Sequence, residues 1–201
     1  MISYSFSSLG YIQETVPDDI LSEIWQQATD TRDPANFQLA GGIEKEYFIE
    51  PTTQFENFLL ENVAKFENDF NSMENLKVLN RSVGYAVNGC WVNFQKKYEF
   101  NPPHNHSGTH SFVIWLKIPY DLNEELSKDN NKNSFSPCNS LFTFYFPTPM
   151  GGIMQHKIHV DKTFEGQMIL FPASLWHGVN PFYTSDDYRI SIAGNISLNV
   201  L

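Results

Sequence analysis

Cysteine is scarce in this 201-residue chain: Cys90 and Cys138 are the only two. Two thiols so far apart match no zinc or redox spacing and cannot staple a disulfide scaffold. The expectation is a pair of reduced thiols, with Cys90 buried. Basic residues are also in the minority, 13 against 23 acids, for a formal net charge of −10. That balance excludes a surface built as a whole to hold nucleic-acid phosphate, and it disfavours an anionic membrane as partner. No apolar run approaches the roughly 20 residues that a membrane helix needs. The start, Met1-Ile-Ser-Tyr-Ser-Phe-Ser7, has neither the basic segment nor the apolar core of a signal peptide. A soluble cytoplasmic setting is the expectation. No phosphate-binding loop, dinucleotide fingerprint, internal repeat or low-complexity tract occurs.

Aromatic residues are abundant, with 17 Phe, 9 Tyr and 4 Trp. Such a composition favours a β-rich interior or an aromatic-lined cleft. The length suits one domain spanning 1–201, with a supporting helical part at 1–75 and a β core at 80–201. Residues 1–16 read as extended. Residues 17–28 have Ile20, Leu21, Ile24, Trp25 and Ala28 on one helical face, and Asp18 and Asp19 suit its positive N-terminal end. Residues 30–50 read as loop, punctuated by Gly41-Gly42. The clearest helix is 51–70, where Phe55, Phe58, Leu59, Val63, Phe66 and Phe70 form a stripe. Thr53 and Glu56 have capping-box spacing. Beyond it, strands are expected at 88–100, 111–119, 141–146, 152–160, 166–171 and 188–198. The polar stretch 121–140 reads as a long surface loop. Two helices followed by many short strands suggest a double-sheet jelly roll with flanking helices.

The chemistry-bearing residues fall into two groups. In Asn101-Pro-Pro-His-Asn-His-Ser-Gly-Thr-His110 the prolines hold the backbone extended. His104 and His106 then project to the same side, which begins a metal site. In the second group, an apolar strand ends at Pro172, a short loop presents His177, and Arg189 opens a strand with Ser191 on the same face. An arginine fork beside a hydroxyl suits a carboxylate. His156 and His159 fall on opposite sides of a strand and cannot chelate together.

These motifs resemble the 2-oxoglutarate and Fe(II)-dependent oxygenases, in particular their small prolyl-hydroxylase-like and phage-encoded branch. The resemblance rests on Pro103-His104-Asn105-His106-Ser107-Gly108, on Phe171-Pro172 with Trp176-His177-Gly178-Val179, and on Arg189-Ile190-Ser191. It spans roughly residues 88–198. It implies a double-stranded β-helix, Fe(II) as metal, and 2-oxoglutarate with molecular oxygen as co-substrates, ascorbate being a possible reductant. His104 and His177 match the family histidines. His106 stands where most members have Asp or Glu, so the implied metal set is His104, His106 and His177. Arg189, assisted by Ser191, matches the group that holds the far carboxylate of 2-oxoglutarate. Asn93 and Trp115 are pocket candidates, and His110 is a candidate ligand or hydrogen-bonding neighbour of one. The implied reaction is hydroxylation of a C–H bond in a peptidyl side chain or a small molecule, with the loop at 121–140 as a lid. Two other readings fit a third histidine in place of the acid. One is a jelly-roll binding module without turnover; the other is a three-histidine cupin-type dioxygenase that uses no 2-oxoglutarate.

Overall fold

The computed structural model describes residues 9–30, 33–73 and 83–199. The start of the extended segment at 1–8 and the junction between the two expected parts, near 75–80, lie outside the described residues. Among the described residues, strands alternate with α-helices along the chain. They are β1 (Ile12–Thr15), α1 (Asp18–Asp30), β2 (Lys45–Ile49), α2 (Thr53–Phe70), β3 (Gly84–Gln95), β4 (Asn101–His104) and β5 (His110–Lys117). α3 (Leu122–Ser127), β6 (Phe142–Pro147), β7 (Ile153–Ile158), β8 (Gln167–Pro172), β9 (Trp176–Val179) and β10 (Arg189–Asn199) follow. The strands form two antiparallel sheets, β1-β8-β5-β10-β3-β2 and β4-β9-β6-β7. The expected jelly roll is the observed fold.

The larger sheet is covered on both faces, which is why its central strands read as unbroken apolar runs. On β5, Phe112, Ile114 and Leu116 point to the helices, whereas Val113 and Trp115 point to the second sheet. The helices bring Ile20, Ile24 and Ala28 from α1 and Phe55, Leu59, Val63 and Phe66 from α2 into the first of these cores. The second core fills the space between the sheets with Phe142, Phe144, Ile158, Ile169 and Phe171.

Four expectations about the elements change. The N-cap of α2 is Thr52, whose hydroxyl accepts the Phe55 amide at 3.4 Å; Thr53 is already helical, so the capping-box spacing from Thr53 to Glu56 is not used. Residues 45–49 leave the expected loop and form β2, which extends the larger sheet beyond β3. The turn expected to present His177 is itself a strand, β9, held between β4 and β6. Residues 121–140 are not a free loop. They open with α3, capped by Asp121, and their buried Glu125 accepts the amides of Tyr183 and Thr184 at 2.8 and 2.7 Å. A buried carboxylate met by backbone N–H groups pins that segment to the barrel end.

Leu59 is fully buried between α2 and the sheet. Leu59→Ala is expected to cost about 2–5 kcal/mol of unfolding free energy, read from urea denaturation with an unchanged m-value.

Candidate active site

Three imidazoles meet at one end of the barrel. His104 closes β4, and His177 lies directly opposite it on β9. The prolines of β4 are tolerated because β4 is an edge strand. His106 follows in the connection to β5, its amide donating to Ala173 O at 2.9 Å. Ring centroids are 4.4 Å apart for His104 and His177, 4.9 Å for His104 and His106, and 5.0 Å for His106 and His177. One nitrogen from each lies within 4.8 Å of the others. His104 Nδ1 donates to Pro102 O at 2.7 Å, and His177 Nδ1 to Leu175 O at 3.0 Å. Tying Nδ1 to a carbonyl leaves Nε2 as the free lone pair and fixes the ring direction.

Burial keeps all three rings neutral. It lowers the pKa of His104, opposed by the bond to Pro102 O. It lowers His106 to about 4, with help from His104, and His177 to about 3, with His104 again assisting. Neutral imidazole is the form that binds metal, and it suits iron as well as zinc or copper. The donor set therefore fits Fe(II). The surrounding wall is aromatic. Phe142 stacks on His177 at 5.5 Å, Phe171 meets its edge at 4.8 Å, and Trp91 lies 5.7 Å from His106.

The floor of the cleft is a polar row across the larger sheet. Glu46, Asn93, Ser191 and Trp115 stand in register on β2, β3, β10 and β5, and all but Glu46 were candidates from the sequence. Asn93 Nδ2 donates to Ser191 Oγ at 3.3 Å. One step along β10, Arg189 pairs with Gln95 and is 3% exposed. Its Nε and Nη2 donate to Gln95 Oε1 at 3.0 and 2.6 Å. Its Nη1 donates to Tyr120 Oη at 3.0 Å and Ser140 O at 2.8 Å, and its Nη2 also reaches Asn180 O at 3.0 Å. All these acceptors are neutral. Among the described residues no carboxylate lies within ion-pair distance of Arg189: Asp186 is bound by Lys97 and Asp187 by Lys117. A buried cation without a counter-charge is costly and calls for an anion.

The structure thus gathers His104, His106, His177, Asn93, Trp115, Arg189 and Ser191 around one cleft. His110 is not among them. Gly108, at φ +104, turns the chain between the histidines, and a Cβ there would lie 2.7 Å from Ile196 O. This turn breaks the two-residue parity, so His110 enters β5 facing the helices, between Phe66 and Tyr85, with Nε2 3.0 Å from Glu67. The lid role expected of 121–140 is also not seen. That segment's contact with the site is Ser140 O, which accepts from Arg189, whereas Leu39, Ala40 and Ile43 line the cleft. Gln95, Tyr120 and Glu46 were missed. The run Tyr47-Phe48-Ile49 carried a strand signal that would have placed Glu46 on an inward face. Glu99, half-buried beside Glu46, accepts the Lys96 amide at 2.7 Å and the Glu44 amide at 3.1 Å.

Residues 89–195 match the family described as "Putative 2OG-Fe(II) oxygenase". No curated protein matches the chain. Similar solved structures include a prolyl-4-hydroxylase from Pseudomonas putida, at 15% identity and a TM-score of 0.55, with 94% of this chain and 92% of that one covered. An oxidoreductase of the 2OG-Fe(II) oxygenase family from Burkholderia pseudomallei gives 14% identity and a TM-score of 0.56, covering 94% and 85%. The viral collagen prolyl hydroxylase of Paramecium Bursaria Chlorella virus-1, in its 2OG complex, gives 13% and 0.51, covering 92% and 94%. At these identities the likeness is one of fold.

Burial, with Glu99 adding like charge, pushes the Glu46 carboxyl up to about 7. Between about pH 4.5 and 7 the folded carboxyl keeps its proton while the unfolded one releases it, so this group makes stability fall as pH rises. Glu46→Gln is expected to remove that decline, measured as the difference between wild-type and variant melting temperatures at pH 5 and pH 8.

Proposed function

The chain belongs to the 2OG-Fe(II) oxygenase family and works as a dioxygenase with Fe(II) and 2-oxoglutarate, and we propose that it hydroxylates a C–H bond of a peptidyl side chain or a small molecule. The observation that carries this reading is a three-imidazole cluster and a buried arginine without counter-charge on the walls of one cleft. His104, His106 and His177 hold the metal. With Fe(II) bound, the site would supply the oxidising chemistry, in which one atom of molecular oxygen goes to the C–H bond and the other to the succinate formed from 2-oxoglutarate with loss of CO₂.

Arg189 takes the far carboxylate of the co-substrate, and Ser191 adds a hydroxyl beside it. To do so, Arg189 exchanges the Gln95 amide oxygen for a carboxylate oxygen, which is the stronger acceptor for a guanidinium. Gln95 stays anchored through Nε2, which donates to Glu99 O at 2.5 Å. Tyr120 and Phe182 flank the guanidinium at 5.8 and 5.6 Å from their ring centroids and hold it rigidly. Trp91, Trp115, Phe142 and Phe171 keep water from the reacting centre. The target C–H bond enters from the side bounded by Leu39, Ala40 and Ile43. A third imidazole in place of a carboxylate gives the metal centre one negative charge fewer, which suits a dianionic co-substrate beside it. The uncompensated Arg189 favours this reading over a cupin-type dioxygenase, which has no use for a carboxylate-binding cation.

We take the chain as one domain, in which β1 and β2 of the N-terminal part extend the larger sheet and α1 and α2 cover its outer face. A cytoplasmic setting agrees with the free thiols of Cys90 and Cys138. Among the described residues no helix is long and apolar enough to cross a membrane.

Purified protein given Fe(II), ascorbate and 2-oxoglutarate is expected to release succinate, and His104→Ala and His177→Ala to release none. Tightly bound zinc with no succinate would establish a binding module instead. Arg189→Ala is expected to weaken 2-oxoglutarate binding on the order of 100-fold, the loss of a charged hydrogen-bonded pair, while metal binding measured by calorimetry persists.

A further inference from the structure

Among the described residues, two oxygen acceptors on the floor of the cleft have no partner. Glu46 Oε1 and Asn93 Oδ1 are both buried and make no hydrogen bond, in residues only 2% and 6% exposed. Buried polar atoms are almost always paired, so two orphans side by side in one cleft need a cause. The two residues are direct cross-strand partners on β2 and β3, which sets their side chains next to each other on one face. Each is tied at its other end. Glu46 Oε2 accepts from Asn36 Nδ2 at 3.3 Å, and the same Asn36 amide donates to Ile43 O at 2.7 Å, locking Glu46 to the loop above the cleft. Asn93 Nδ2 is held by Ser191. Above about pH 7, where Glu46 has released its proton, what remains free is a fixed pair of acceptor oxygens.

We infer that this pair recognises a protonated nitrogen, an ammonium or guanidinium, on the primary substrate. The inference rests on the oxygenase reading and names the substrate class for that cleft. An ammonium offers three donors and a guanidinium five, enough to meet both oxygens at once, and neither offers an acceptor to compete. Charge points the same way. Among the described residues no cation lies within ion-pair distance of Glu46, while the neighbouring Glu99 carboxylate deepens the negative potential. Glu46 is not a fourth metal ligand, because the cluster able to hold an ion is confined to the three histidines. The register separates the two charges of the cleft. Arg189 lies on β10, two strands from β2, so an anion is held at one place and a cation at another. A substrate anchored by its nitrogen at β2 reaches toward the imidazoles with a neighbouring carbon. A basic amino acid, free or within a peptide, has that shape.

The test uses full-length protein loaded with Zn(II) and saturated with N-oxalylglycine, an inert analogue of 2-oxoglutarate, in calorimetric titrations. The probes are L-arginine and L-lysine, their N-acetylated amides as stand-ins for a peptide, and the uncharged isosteres citrulline and norleucine. Wild-type protein is expected to bind at least one cation ten or more times more tightly than its isostere. The free or the capped form binding better identifies the source of the side chain. Glu46→Gln is expected to erase the preference with N-oxalylglycine affinity and a single cooperative unfolding transition retained, and Glu46→Asp to weaken it. An isostere bound as well as its cation, a preference that survives in Glu46→Gln, or no cation bound at all would overturn the inference. If N-oxalylglycine itself fails to bind, the oxygenase reading falls, and the same titrations on metal-free protein still decide the role of Glu46.

Discussion

The site depends on one strand pairing. β9 lies antiparallel to β4 with His177 opposite His104. Opposite residues in such a pair share a face and approach within about 4.5–5.5 Å at Cβ, which lets the two imidazoles converge on one point. A slip of one residue would set Trp176 or Gly178 there and turn His177 away. The register is held from both sides, since β6 pairs with the other edge of β9 and sets Phe144 against His177. It is also held by close approach. A Cβ on Gly178 would lie 3.3 Å from Asn101 O and from Pro103 N, so any larger residue there would press β9 a few tenths of an ångström away from the proline-rich strand.

The larger sheet serves two purposes with its two faces. The outer face is apolar and takes α1 and α2, which gives the barrel a rigid back. The inner face carries a polar row from Glu46 to Trp115 and, beside it, Arg189 with Gln95. Such polar groups destabilise a barrel interior unless they are satisfied. Arg189 is satisfied for hydrogen bonds but not for charge; Glu46 and Asn93 are not satisfied even for hydrogen bonds. The two deficits have opposite sign, and they mark where an anion and a hydrogen-bond donor belong. Stability has been given up at the positions where binding needs it.

Much of the fold was legible from local pattern. α2 follows from its phenylalanine stripe, and β5, β6, β8 and β10 follow from short apolar runs between turn residues. The elements that were missed are those whose formation rests on a distant partner. β2 and β9 are four or five residues long and exist because β3, β4 and β6 offer them hydrogen bonds. Residues 121–140 looked like a loop because their composition is polar, yet Glu125 buries itself under the amides of Tyr183 and Thr184, which no local pattern announces.

The chain by itself determined the chemical vocabulary of the site. The spacing of His104 and His106 on a proline-stiffened segment, a single later histidine, and Arg189 two residues before Ser191 are properties of residue order, and alternation along a strand turns that order into shared faces. Only the tertiary structure decided which histidines meet. His110 was excluded because one left-handed glycine resets the alternation, and Glu46 was admitted because an edge strand docks beside β3. Alternation holds within a strand and ends at every turn, so the final composition of the cleft belongs to the packing of strands that are far apart in the chain.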